Sequence, residues 1–297
     1  MSDFKDKVLF WGGLTAVSSL IIGGGYYLYK HLTDAGEEAE EKEDGEEGLL
    51  GKNKGGENIF KLSNKELIKR FGIEIREEEI FDGLNKLTNE GCIKLITCIN
   101  YLAERFYQID NPGLDEQRRN CVDNYEEYLS LCNETFMAKQ NEYQIASNKV
   151  LDSLGNKISF KELQDFLQNI NQKDLETLTV SEMLKQNDRL FNYNLTCLKK
   201  EEVKLAYIFY LTNFIEEADK LLNNINSKEN KEENEEEQKL LMFNFLTLKM
   251  QIDDKLYLKY NVIEEQLKLM LYKNELLLDG DIVKLQEKFE KLNEKFK

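Results

Sequence analysis

The chain has 297 residues, 56 of them acidic and 40 basic, for a formal net charge of −16. That balance speaks against nucleic acid and against anionic membrane surfaces as partners, because both are held by clustered Lys and Arg. The length suffices for one sizeable helical domain with its own core.

After a short tail, residues 1–7, the chain runs from Val8 to Tyr29 without a charge. A helix of those 22 residues would be roughly 33 Å long, enough for a bilayer core of about 30 Å. Phe10 and Trp11 stand at one end and Tyr26, Tyr27 and Tyr29 at the other, the pattern of aromatic rings at two headgroup regions. The sequence therefore predicts a single transmembrane helix over residues 8–30, an uncleaved anchor rather than a signal peptide, whose apolar core is shorter. Gly12, Ala16, Ser19 and Gly23 recur at helical spacing on one side of this run. Small residues so placed let a neighbouring membrane helix approach closely, which makes them the expected helix-packing face. Lys5 and Lys7 before the run, against Lys30 after it, favour a short N-terminus kept inside.

Residues 31–58 form the next segment, an acidic flexible linker. Between residues 34 and 57, ten acids against three lysines leave a charge of −7, with glycines interspersed. Such a composition buries too little apolar surface to offset the entropy of ordering.

From residue 59 to 297 the pattern is that of an all-helical soluble domain. Ser63-x-x-Glu66 is a capping box ahead of Leu67 and Ile68, with Gly72 as a stop. Helices are expected over 76–90, ending before Gly91, and over 92–110, where Ile93, Leu95, Ile96, Ile99, Leu102 and Phe106 suggest a central position. Asn111-Pro112-Gly113 reads as a turn, followed by one long helix over about 114–149. Thr179-x-x-Glu182 reads as a second capping box opening a helix to 191, and 200–226 as a further helix. Residues 227–239 are an exposed charged loop, and 240–278 one long amphipathic helix. Ile282, Leu285, Phe289, Leu292 and Phe296 make a short apolar seam expected to dock on the domain. The five cysteines, Cys92, Cys98, Cys121, Cys132 and Cys197, have no metal-pair spacing and are expected as buried free thiols.

Residues 151–163 read LDSLGNKISFKEL: an acid at the start, Asp152, a Gly155-Asn156 bend, the apolar Ile158, and a closing acid, Glu162. Residues 191–203 read FNYNLTCLKKEEV, with Asn192, Leu198 and Glu202 at the same three places. Together they resemble a pair of EF-hand loops, and the resemblance covers about residues 140–215. It implies paired helix–loop–helix units. Calcium wants six to eight oxygens from alternate positions of a twelve-residue loop. Both loops are one residue short, and Leu154 stands where the first should offer an oxygen, so the pair is degenerate and no metal site is expected at Asp152, Glu162, Asn192 or Glu202. A calcium sensor would need metal at one of these loops.

The sole histidine, His31, stands next to the apolar run, so no Ser-His or Cys-His pairing is available. No P-loop, dinucleotide turn or HExxH occurs. No catalytic residue, cofactor or small-molecule substrate is expected, and the chain is read as not an enzyme. The leading expectation is a single-pass accessory subunit of a respiratory-chain or ATP synthase assembly in the mitochondrial inner membrane, its domain in the intermembrane space. Its partners would be the bilayer and other subunits of the complex. The alternative is a membrane-anchored receptor or tether that binds partner proteins through its acidic helical domain.

Overall fold

The computed structural model describes residues 63–170, 172–226 and 235–295. Among these residues all regular structure is helical, apart from one isolated bridge between Phe81 and Leu87. The all-α expectation holds. The single-pass expectation does not, because no described helix is long and apolar enough to cross a membrane. The described helices of sufficient length each carry five or more charged residues, which hydrocarbon does not solvate. The proposed architecture of a membrane span plus domain, and the placement at the mitochondrial inner membrane, are corrected on that finding. The run 8–30 with Gly12, Ala16, Ser19 and Gly23, and the segment 31–58, lie outside the described residues. So do residues 227–234 of the expected charged loop, whereas 235–239 already belong to a helix.

The chain divides into two compact units. In chain order the first comprises the described residues up to Leu114 together with Thr135–Phe191, and the second Asp115–Glu134 together with the residues from Asn192 onward.

The first unit opens with α1 (Asn64–Arg70). Its start is the expected capping box, with Ser63 accepting from the Glu66 amide and Glu66 accepting from the Ser63 amide. Gly72 ends it at φ +76°, a conformation that costs glycine nothing. The helix expected over 76–90 shrinks to α2 (Glu77–Ile80). Asp82 ends it: its Oδ1 accepts from the amides of Leu84 and Lys86, at 2.8 and 2.9 Å, and Asn85 turns into the left-handed region at φ 58°. Side-chain competition of this kind favours turns over helix.

Gly91 is no stop. It lies in the first turn of α3 (Asn89–Asp110), capped by Thr88, which accepts from the Gly91 amide at 2.9 Å. A Cβ on Gly91 would stand 2.1 Å from the carbonyl oxygen of Ile80, so only glycine allows this approach. The α3 helix is central to its unit, as its apolar run implies: Leu95, Ile99 and Leu102 have no exposed surface. It packs on α2, on α6 (Phe160–Asn169) and on α7 (Gln172–Gln186). The second expected capping box is absent. Thr179 sits inside α7, buried, and its hydroxyl donates to the Leu175 carbonyl at 2.8 Å. The chain then loosens into a π-helical turn, Asn187–Phe191, where Phe191 meets Tyr101 edge-on.

The long helix expected over 114–149 is two helices, α4 (Leu114–Asn120) and α5 (Tyr125–Ser153), and the division between units falls within α5. At the break the Asn124 amide donates to the Cys121 carbonyl at 2.8 Å, and the Asn124 carbonyl starts α5 by accepting from Tyr128.

In the second unit α8 (Lys200–Asn226) is the hub. Val203, Ala206, Tyr210, Phe214 and Ala218 recur every three or four residues and are almost wholly buried. The helix packs on α9 (Glu235–Tyr260), α10 (Glu264–Lys273) and α11 (Gly280–Lys295). The helix expected over 240–278 is broken at Asn261, which takes φ 55° and ends α9. The expected docking of the C-terminal seam is present: Ile282 is fully buried, and Phe289 packs edge-on against Phe214.

Candidate functional site

Two consecutive residues of α9, Asp253 and Asp254, enter two different ionic clusters of the second unit. One helical step is about 100°, so neighbouring side chains leave the helix in different directions.

Asp254 is 1% exposed. It accepts from Arg118 of α4 through Nε at 2.8 Å and Nη2 at 2.9 Å, and from the Tyr128 hydroxyl of α5 at 2.8 Å. Arg119 adds Nε at 3.3 Å and lays its guanidinium 3.8 Å over the Tyr257 ring. Asp115 takes the remaining side of Arg118 at 2.6 Å. Burial opposes the charge on Arg118, but the hydrogen bonds and charge of Asp254 more than offset it and hold the guanidinium ionised. Burial, then the Asp254 charge, pushes the Tyr128 phenol far up, so it stays a donor.

On another side of α9, Lys249 donates to Asp253 at 2.7 Å and to Glu264 at 2.6 Å. Glu264 is also held by Lys268. Burial works against the Lys249 charge, yet Asp253 and Glu264 raise its pKa above that of a free lysine. Glu264 likewise pays for burial, but Lys249 and Lys268 hold it below the usual carboxylate range. This cluster ties α9 to α10 across the bend at Asn261.

The sequence pattern did not disclose these residues as partners. The one available signal is that Lys249 occupies a core position in the series Phe245, Lys249, Ile252, Leu256, at steps of four, three and four. A charge on a buried stripe needs a counter-charge, but nothing in the chain order says where it comes from.

The EF-hand-like positions are put to local use. Asp152 is exposed and accepts from Asn64 Nδ2 at 3.1 Å. Glu162 turns back on its own helix start, accepting from the Ser159 amide at 2.8 Å and hydroxyl at 2.7 Å, and these bonds lower its pKa. Leu154 and Ile158 are buried. Asn192 adopts φ 52° and Glu202 accepts from the Lys199 amide at 2.8 Å, the same reach from third helical residue to cap that Glu162 makes. The first loop belongs to the first unit and the second loop to the second. Among the described residues no group of three or more His, Cys, Asp or Glu could hold a metal ion.

The thiols divide. Cys92, Cys98 and Cys132 are buried, and burial pushes them up to about 12, about 12 and about 11, so they are protonated and inert. Cys121 is half-buried and Cys197 is exposed, contrary to the expectation that all five lie in the core.

No known family model matches the chain, no curated protein matches it in sequence, and no solved structure matches it.

Proposed function

We propose that this protein is a non-catalytic component of a larger protein assembly, an accessory subunit or tether that binds partner proteins through its helical surface. The observation that carries the reading lies on α8 of the second unit. Leu205 is 57% exposed one helical turn before Phe209. The Phe209 ring packs on Tyr260 with centroids 5.7 Å apart, and Lys259 lies over both rings. An apolar and aromatic face rimmed by a cation, on a chain of net charge −16, has the make-up of a protein-binding patch.

The buried ionisable groups support the same reading. Arg118, Asp254, Lys249 and Glu264 are spent on one another, as structural ion pairs are. The EF-hand-like segments act here as packing elements, with Leu154 and Ile158 in the core and Glu162 as a cap.

Native-gel and native-mass separation of the full chain from its own cells, beside a Leu205→Glu variant, tests this. The wild type should run at high mass with one defined set of partners in fixed stoichiometry, and the variant should run apart from them. A wild-type chain that runs alone at its own mass sinks the proposal.

A further inference from the structure

The apolar face of α8 is short. Leu205 stands at its centre, 57% exposed, with Ile208 and Phe209 half-buried beside it and Tyr260 of α9 against the Phe209 ring. Further along the same side of the helix come Glu216, Lys220 and Asn223, all exposed, so the apolar stretch covers about two turns. Two charges flank Leu205. Glu201, one turn before it, is exposed and meets no cation among the described residues. Lys259 lies over Phe209, one turn after it, with its ammonium 4.1 Å from the ring centre, and meets no carboxylate among the described residues. Of the neighbouring charges, Lys204 is held by Asp279 and Asp281, and Glu202 turns back to accept from the Lys199 amide. Lys200 leaves the helix about 140° round from Leu205. A carboxylate one turn before an apolar centre and an ammonium one turn after it make a face complementary to itself under a two-fold rotation.

Granted the binding face proposed above, on which this rests, we infer that its partner is a second copy of this chain, α8 packed antiparallel on α8 about a two-fold axis through Leu205. In that register residue 201 of one copy stands opposite residue 209 of the other. Each Glu201 carboxylate then meets the Lys259 ammonium over the Phe209 ring of the other copy, and the two Leu205 side chains meet on the axis. Packed helices lie about 8–10 Å apart, a gap that a glutamate and a lysine reaching from either side close. A shift that lays Leu205 on Phe209 of the other copy leaves both charges unmet. The net charge of −16 per chain opposes the approach, but beyond about 8 Å it is screened at physiological salt, and the charges that face one another at the contact are opposite. Two turns of helix from each copy bury little area, so the affinity expected is about 1–100 μM.

Sedimentation equilibrium of the purified full chain at physiological salt, from about 1 μM to 1 mM, measures the pairing. The wild type should pass from monomer to dimer in that range, and Leu205→Glu, which sets two carboxylates together on the axis, should stay monomeric. Glu201→Lys and Lys259→Glu should each weaken the dimer by about tenfold, because every contact occurs twice. The double reversal, Glu201→Lys with Lys259→Glu, should restore it to within about threefold of the wild type. All three positions are exposed, so the fold should survive each change, which circular dichroism verifies. A wild type monomeric throughout, a dimer that survives Leu205→Glu, or a double reversal no tighter than the single ones overturns the inference. A chain that is monomeric when pure yet comigrates with other proteins from its own cells sinks the self-pairing and leaves the assembly reading. A chain that runs from cells as a dimer and nothing more does the reverse.

Discussion

Arg118 and Asp254, 136 residues apart in sequence, meet as a fork on a fork, through two nearly parallel hydrogen bonds of 2.8 and 2.9 Å. The pair binds α4 to α9, and Tyr128 adds α5 to the same carboxylate. Removing Asp254 takes away two of the hydrogen bonds to the buried Arg118 guanidinium and leaves the part-exposed Asp115 to balance its charge. Asp254→Ala should therefore cost about 3–5 kcal/mol, whereas the double change Arg118→Met with Asp254→Leu should cost far less. Urea unfolding of the three proteins checks this, and a loss under about 1 kcal/mol for the single variant contradicts the reading.

Tyr128→Phe removes only the hydroxyl that donates to Asp254. A hydrogen bond to a charged group contributes about 1.5–3 kcal/mol, so the loss should fall in that range. Circular-dichroism melts of wild type and variant give the comparison.

At Gly91 alanine should be worse than glycine, against the ordinary preference of helices. Alanine would gain about 1 kcal/mol in helix propensity. It would also drive a methyl group into the Ile80 carbonyl, 2.1 Å away, where the nearest atoms are backbone and cannot swing aside. Overpacking of this kind costs about 1–3 kcal/mol or more. Gly91→Ala should lower the midpoint of denaturation, and an unchanged or raised midpoint would show that the turn at Ile80 yields.

Glu142 in the first unit is 5% exposed, and burial, with Asp110 adding to it, raises its carboxyl to about 7. The raised value fixes the sign: its contribution to stability is full below pH 4.5 and is lost as pH climbs through about 7. Glu142→Gln should flatten the decline in first-unit stability between pH 6 and 8. Hydrogen exchange of α3 amides in both proteins measures it, and an unaltered slope assigns the decline elsewhere.

Ser159 and Glu162 cap α6 reciprocally. Ser159→Ala should cost about 0.5–2 kcal/mol. Calcium at about millimolar concentration, weak even among extracellular calcium modules, should leave the exchange of α6 amides unchanged. Protection on adding calcium would show that the loop retains an ion site in place of the cap.

The elements that local rules govern were legible in the sequence. Ser63 and Glu66 form the expected box because both partners lie within one turn. The 200–226 helix and the burial of α3 follow from apolar residues at helical steps, which need no knowledge of the rest of the chain. The errors share a cause. Asp82, Asn124 and Asn261 break segments whose periodicity continues through them, and Thr179 looks like a cap but lies within α7. In each case a side-chain or backbone hydrogen bond decided, at little cost, between helix and turn. The uncharged run from Val8 to Tyr29, with aromatic residues at both ends, suggested a membrane architecture that no described helix supports.

By itself, then, the sequence determined the helical class, the Ser63–Glu66 cap and most of the apolar faces, because these depend on neighbours three or four residues away. Only the tertiary structure decided that Arg118 answers Asp254, that Lys249 answers Glu264, and that Gly91 must be bare. A buried charge requires a partner, but its identity depends on which helices meet, and that is settled by packing over the whole chain.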